Sequence, residues 1–154
     1  MKLETMNTKP KTIVFVEDDE VVLLAYRNCL QREGFCVESA KDGLEAMKIL
    51  LMSLPDLIVL DLMLPKFNGE EVLKFIRSDR RLKELPVIIL STNSVIEVEH
   101  EPLLEAGACR RLIKGNCTTA TLLTVIHEAL GDEPAESPAE SIRRPFSTVL
   151  QPTV

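Results

Sequence analysis

Several side chains suited to phosphate chemistry lie directly after apolar runs of the sequence. Glu17 and Asp18 follow the run TIVFV, Asp61 follows LIVL, Ser91 follows PVIIL, and Lys114 follows RLI. Carboxylate oxygens are the ligands that Mg²⁺ prefers, and an ammonium group or a hydroxyl can contact phosphoryl oxygens. These residue types indicate a site for a divalent cation and a phosphoryl group, provided that the fold brings them together.

The elements that would position these side chains alternate between about residue 11 and residue 130. Short β-branched runs, typical of buried strands, are each followed by a segment with helical periodicity. This pattern, (βα) repeated five times, predicts an α/β fold with a doubly wound parallel sheet and right-handed crossovers. Ligands of such sheets bind outside the carboxyl ends of the strands, so the side chains should converge there.

The helical segments carry recognisable end signals. Asn68 is placed to cap the third helix, and Thr118 or Thr119 the last. The segment 94–106 is the least regular, because Pro102 should bend or shorten any helix there. The apolar residues expected on the buried face of the first helix are Val22, Ala25, Tyr26, Cys29 and Leu30.

The composition of the 154 residues indicates one soluble globular domain. A formal net charge of −6 argues against general nucleic-acid binding. No apolar run reaches the roughly 20 residues of a membrane-spanning helix, and the N-terminus has no apolar secretory segment. We therefore expect no membrane association and a cytoplasmic protein whose cysteines are buried reduced thiols, namely Cys29, Cys36, Cys109 and Cys117.

Composition also divides the chain. Residues 1–10 are polar and are expected to be a flexible leader, while residues 11–130 should form the folded domain. Residues 131–154 contain four of the nine prolines together with Ser and Glu, and they show no helical period. They are predicted to be a disordered tail that cannot form a DNA-binding output domain.

Each strand-end residue can be given a chemical role. Mg²⁺ usually keeps several waters, so Asp18 and Asp61 could hold it while Glu17 binds a coordinated water. Asp61 is the best candidate for a nucleophile, since a carboxylate can attack phosphorus to give an aspartyl phosphate. Lys114 would neutralise charge on the phosphoryl group, and Ser91 would donate a hydrogen bond to one of its oxygens.

Taken singly, each of these residues also has an ordinary structural interpretation. An Asp after a strand is usually a turn former or a helix cap, and acidic residues favour the start of a helix. The coincidence of suitable residues at four strand ends favours the functional interpretation.

The same residues, in this order, resemble the receiver domain of two-component response regulators. The motifs are VEDD, which includes Glu17 and Asp18, PDLIVLDLMLPKFNGEEVLKFIR around Asp61, LPVIILST, EAGA and the single Lys114. The resemblance covers about residues 11–130. It implies a flavodoxin-like fold with strand order 2-1-3-4-5, in a stand-alone, CheY-like receiver.

The resemblance also implies a phosphorelay function. Asp61 would take a phosphoryl group from the phosphohistidine of a histidine kinase or phosphotransfer protein, with Mg²⁺ held by Asp18, Asp61 and the Met63 carbonyl. Ser91 would sense the phosphate and Lys114 would pair with it. Such a domain phosphorylates and dephosphorylates itself and signals to a downstream protein, with homodimerisation as one option. It is therefore a switch and not a conventional enzyme.

Three features of the sequence depart from the family pattern. Arg111 replaces the usual aromatic residue of the signalling relay, and Gly115 replaces the proline after the lysine. The stretch from Ser91 to Gly107 is one residue longer than usual, which leaves Thr92 as an alternative phosphate sensor. An altered relay keeps a second function open, that of a docking module that does not depend on phosphorylation.

Two other classes of protein with related chemistry fit poorly. A haloacid-dehalogenase-type phosphatase has its nucleophile in a D-x-D motif after the first strand, whereas Asp61 follows the third strand and Met63 stands two residues later. A flavodoxin needs a hydroxyl- and glycine-rich phosphate loop after its first strand. This chain has EDDEV there, which would repel phosphate in the absence of a metal.

Overall fold

A computed structural model describes residues 8–92 and 110–132. In these two ranges the chain forms five strands and four α-helices. The strands are β1 (Thr12–Val16), β2 (Cys36–Ala40), β3 (Leu57–Asp61), β4 (Val87–Ser91) and β5 (Arg110–Ile113). The helices are α1 (Glu20–Arg32), α2 (Gly43–Met52), α3 (Gly69–Ser78) and α4 (Thr119–Leu130), with a 3₁₀ turn at Lys114–Asn116.

The five strands form one parallel sheet in the order β2-β1-β3-β4-β5. This confirms the predicted doubly wound α/β fold and its flavodoxin-like strand order. In the register, Val16 pairs with Leu60 and Ser91 with Ile113. The carboxyl ends of β1, β3, β4 and β5 therefore lie along one edge of the sheet, and the strand order reverses between β1 and β3.

Helices cover both faces of the sheet and bury it. On one face, α2 and α3 pack against a fully buried layer that includes Val14, Ile58 and Ile89. On the other face, α1 and α4 pack against a layer that includes Phe15 and Val59. Alternate residues of β1 and β3 thus face different helices, which is why these strands are continuously apolar in sequence.

The predicted helix caps agree with the structure. Asn68 and Glu71 form a reciprocal capping box at the start of α3, and the Thr118 hydroxyl accepts the Thr121 amide hydrogen at the start of α4. The predicted buried face of α1 is partly wrong: Leu30 is buried as predicted, but Leu23, which was not included, is also buried and Ala25 is exposed. The segment 94–106 lies outside the described residues.

Burial of the cysteines is not what the sequence suggested. Cys36 is exposed on the edge strand β2, and Cys29 and Cys117 are half-buried. All three are free thiols. Cys109 lies outside the described residues, as do most of the predicted leader and the tail beyond residue 132.

None of the helices in the described ranges is long and apolar enough to cross a membrane.

Candidate functional site

The acidic residues predicted from the strand ends meet at the carboxyl edge of the sheet. Asp61 is the last residue of β3, and Glu17 and Asp18 directly follow β1, its neighbour in the sheet. One carboxylate oxygen from each of the three residues lies within 4.8 Å of the other two. Glu17 and Asp61 are buried, whereas Asp18 is exposed, so the cluster is open to solvent on one side.

Lys114 directly follows the edge strand β5, and its side chain reaches this cluster. Its Nζ donates to Asp61 Oδ2 at 2.8 Å and forms an ion pair with Glu17 Oε2. The lysine side chain is mostly buried. With all three carboxylates ionised, a single ammonium group leaves two negative charges uncompensated, and a divalent cation would balance them.

Backbone amides orient the two buried carboxylates. Asp61 Oδ1 accepts the Met63 amide hydrogen at 3.0 Å, and Glu17 Oε1 accepts the Asp19 amide hydrogen at 3.1 Å. Each carboxylate therefore has one oxygen fixed by the main chain and the other close to Lys114. This arrangement fixes the side chains before any ligand binds.

Burial and hydrogen bonding shift the pKa values of Glu17 and Lys114 in opposite directions. Burial raises the pKa of Glu17 above its ordinary value, against the hydrogen bonds from Lys114 and from the Asp19 amide. Burial alone would lower the pKa of Lys114, but its hydrogen bonds to Asp61 and Glu17 outweigh this effect and the pKa is raised. The lysine is therefore protonated at neutral pH and acts as a fixed cation.

This set of oxygen donors fits Mg²⁺. The ion takes hard oxygen ligands and retains several waters, so one or two carboxylates on an open side of a pocket suffice. Asp61 and the exposed Asp18 would hold the ion, and Glu17 could bind one of its waters. Met63 lies two residues after Asp61, at the start of the β3–α3 loop. The role of its backbone carbonyl as a Mg²⁺ ligand stays a prediction.

Asp18→Asn should weaken Mg²⁺ binding about tenfold or more, which corresponds to at least about 1.4 kcal/mol. The ion loses a carboxylate ligand and its negative charge, and solvent screens this attraction because Asp18 is exposed. Isothermal titration of the full chain with MgCl₂ measures this. Asp19→Asn is the matched control, since the Asp19 carboxylate caps α1 and is not part of the cluster. Equal Mg²⁺ affinities of the Asp18 variant and the wild type would remove Asp18 from the metal site.

Both candidates for the phosphate-sensing hydroxyl line one cleft. A cleft of about 530 Å³ beside the acidic cluster is lined by Ser91, Thr92, Met63 and Asn68, among others. Ser91 ends β4 and is buried, whereas Thr92 is exposed. Because both residues line the cleft, either hydroxyl could reach a group bound there. The assignment of Ser91 as the sensor stays a prediction.

The two residues that depart from the family pattern lie in β5 and in the turn that follows it. Arg111 pairs with Ile89 in the sheet and is half-buried, which differs from the solvent-facing position that a long cation usually prefers. Gly115 lies in the 3₁₀ turn, where an added methyl group would meet nothing within 4 Å. The Lys114 contacts form despite both changes.

Two glycines beside the site were missed by the sequence analysis. A Cβ atom on Gly69 would lie 2.4 Å from the Asp61 carbonyl oxygen, and one on Gly43 would lie 1.9 Å from the Phe67 carbonyl oxygen. Both glycines directly follow a helix-capping residue, Asp42 or Asn68. A glycine in the first turn of a helix, where it has low propensity, is the signal that could have identified them.

The chain is similar to known response regulators. The family model of the response regulator receiver domain matches residues 13–127. The polar-differentiation response regulator DivK of Brucella anthropi is 29% identical over 123 residues, which are 80% of this chain and 98% of DivK. The chemotaxis response regulator CheY4 of Vibrio cholerae has a TM-score of 0.73 at 26% identity, covering 79% of this chain and 99% of CheY4.

A second similar structure contains a metal. The receiver domain of the sensor histidine kinase PA1611 from Pseudomonas aeruginosa, with a magnesium ion coordinated in its active-site cleft, has a TM-score of 0.72 at 26% identity. The similarity covers 80% of this chain and 100% of that domain.

Fold and site together define an open, doubly wound α/β domain with an acidic, lysine-containing crevice at its topological switch point. The family match covers most of the chain, and this protein belongs to the response regulator receiver domain family.

Proposed function

We propose that this protein is a phosphoacceptor response regulator, with Asp61 as the residue that receives the phosphoryl group. The observation that supports this most strongly is the position of Asp61. Its buried carboxylate lies 2.8 Å from the Lys114 ammonium group and within a cluster of two further carboxylates. A nucleophile, a fixed cation and a set of metal ligands are the parts that phosphoryl transfer requires.

The proposed transfer is a direct displacement at phosphorus. One oxygen of Asp61 forms a bond to phosphorus while the phosphorus–nitrogen bond of a phosphohistidine breaks. The electron pair of that bond returns to the imidazole ring, which leaves as neutral imidazole when its other nitrogen is protonated. Lys114 stabilises negative charge on the phosphoryl oxygens. Bound Mg²⁺, held by Asp18 and Asp61, supplies further charge neutralisation.

The aspartyl phosphate would be a temporary signal. Water hydrolyses it in the same site, so the protein acts as a switch with a finite lifetime and not as a conventional enzyme. Ser91, or Thr92 in its place, would donate a hydrogen bond to the phosphoryl group from β4. The partners are a histidine kinase or phosphotransfer protein upstream and a protein target downstream, in the cytoplasm, with a homodimer as one form of output.

One observation favours a second candidate function. Arg111 occupies the usual aromatic position of the relay and is half-buried. If this arginine uncouples the hydroxyl from the signalling surface, the chain would be a docking module whose binding does not depend on phosphorylation. Equal affinity of the phosphorylated and unphosphorylated forms for a downstream protein would support this alternative.

Incubation with a small phosphodonor tests the proposed function. Acetyl phosphate or phosphoramidate with Mg²⁺ should add one phosphate that is stable in acid and labile in base, as expected of an acyl phosphate. Intact-mass spectrometry measures the addition, and a parallel reaction with EDTA should show little of it. If neither donor adds phosphate to the wild-type protein in the presence of Mg²⁺, the proposed function fails.

A further inference from the structure

The segment between the phosphoacceptor and α3, residues 62–68, is here called the acceptor loop. Its two ends are close together at the site, because the Gly69 amide donates to the Leu62 carbonyl oxygen at 3.0 Å. Near its start, the Met63 amide donates to Asp61 Oδ1 at 3.0 Å. The path of this loop therefore fixes one oxygen of the Asp61 carboxylate and places the Met63 carbonyl.

The tip of the acceptor loop rests on the first turn of α2, an element that contributes no side chain to the acidic cluster. The Gly43 amide donates to the Pro65 carbonyl oxygen at 3.3 Å, and Lys66 Nζ lies 3.6 Å from Asp42 Oδ2. Gly43 is buried, and a Cβ atom there would lie 1.9 Å from the Phe67 carbonyl oxygen. Real Cβ atoms do not approach backbone this closely, so the contact requires glycine.

The backbone of the loop tip is in an unfavourable conformation at this contact. Lys66 and Phe67 have φ angles of 47° and 71°, and neither is a glycine. Two consecutive non-glycine residues in the left-handed region persist when the surrounding structure holds them there. The contacts of Asp42 and Gly43 with residues 65–67 provide that restraint.

We propose that Gly43 is a positioning residue for the phosphoacceptor site. By allowing the acceptor loop to rest against α2, it holds the Met63 carbonyl and the Asp61 carboxylate in the geometry that Mg²⁺ requires. Mg²⁺ tolerates little departure from octahedral geometry, so displacement of the loop weakens its binding. The inference rests on the proposed function and extends it to a residue outside the acidic cluster.

Gly43→Ala tests this directly. The new methyl group must push Phe67 away, and the Mg²⁺ dissociation constant measured by isothermal titration should rise roughly tenfold, as when a residue that supports a metal ligand is replaced. Leu44→Gly is the matched control, because it weakens the same turn of α2 without adding an atom against the loop. It should lower the melting temperature and leave Mg²⁺ affinity close to that of the wild type.

The outcomes separate positioning from loss of stability. If both variants lose Mg²⁺ affinity in proportion to their loss of melting temperature, or if Gly43→Ala binds Mg²⁺ like the wild type, the proposal is overturned. The proposed function fails by a different result, the absence of phosphate uptake by the wild type. Normal uptake by the wild type with an unaltered Mg²⁺ affinity of Gly43→Ala would overturn the role of Gly43 alone.

Hydrogen exchange of the wild-type protein decides the case if Gly43→Ala does not fold. Since coupling between two sites is reciprocal, saturating Mg²⁺ should slow exchange of the Gly43 amide, which donates to the Pro65 carbonyl oxygen, by about fivefold or more. The Ser53 amide, which donates to the Ile49 carbonyl oxygen at the other end of α2, is the internal reference, and its exchange should not change. Equal Gly43 exchange with and without Mg²⁺ would overturn the proposal.

Discussion

Asp61→Asn is expected to abolish phosphate uptake from acetyl phosphate. The substitution preserves the size of a side chain that is buried at the end of β3, so the sheet and the Lys114 contact site should persist. The amide lacks the negative charge of the carboxylate, and it also lacks the nucleophilic oxygen that would attack phosphorus. Intact-mass spectrometry after incubation with Mg²⁺ should show only the unmodified variant under conditions in which the wild type gains phosphate.

The matched control for this variant is Asp56→Asn. Asp56 lies just before β3, at the opposite end of the strand, where its Oδ2 accepts the Thr12 amide hydrogen at 2.7 Å. An asparagine oxygen can accept the same hydrogen bond, and the residue is remote from the acidic cluster. Asp56→Asn should therefore take up phosphate like the wild type. Uptake by Asp61→Asn at the wild-type level would show that another residue is the acceptor.

Lys114→Met is expected to have the second large effect, on both stability and reactivity. Removing one partner of a buried ion pair leaves the other uncompensated, which typically costs 3–5 kcal/mol, and partial exposure of Lys114 brings the expected loss to about 2–3 kcal/mol. Loss of a fixed cation at the phosphoryl group should also slow uptake by about a hundredfold. Urea denaturation without Mg²⁺ and initial rates with acetyl phosphate measure the two effects.

Mg²⁺ provides an internal check on this variant. A divalent cation can replace the missing positive charge, so Mg²⁺ should stabilise Lys114→Met more than it stabilises the wild type. Lys41→Met is the control, because the Lys41–Glu20 pair is exposed and should contribute little. If Lys114→Met matches the wild type in stability without Mg²⁺, the lysine does not balance the charge of the cluster.

The strands β1, β3 and β4 could be predicted from the sequence because each contains a continuous apolar run that ends at a polar residue. In α1 the same reasoning was only partly right, since it included Leu30 but missed Leu23 and included the exposed Ala25. The apolar residues 21–25 are consecutive and surround the helix, so the periodicity does not select one face. Packing against the sheet buries Leu23 and leaves Leu24 and Val21 exposed. The strand order came from the family resemblance and not from periodicity.

The site could be predicted where it depends on the ends of strands, and not where it depends on the contact between a helix and a loop. Asp18, Asp61 and Lys114 follow from the rule that ligands bind at the carboxyl edge of a parallel sheet. The contact between Gly43 and Phe67 joins the first turn of α2 to the acceptor loop, and the two are remote in sequence. No local pattern specifies such a meeting, although the pair Asp42-Gly43 at a helix start is a weak signal.

The measurement that tests the central claim most directly is chemical trapping of the phosphorylated residue in the wild-type protein. Borohydride reduces an aspartyl phosphate to homoserine, and peptide mass spectrometry then locates the changed residue. After incubation with acetyl phosphate and Mg²⁺, homoserine should be found at position 61, and it should be absent when the donor is omitted. Homoserine at another aspartate, or its absence at position 61 from protein that has gained phosphate, would contradict the assignment of Asp61 as the phosphoacceptor.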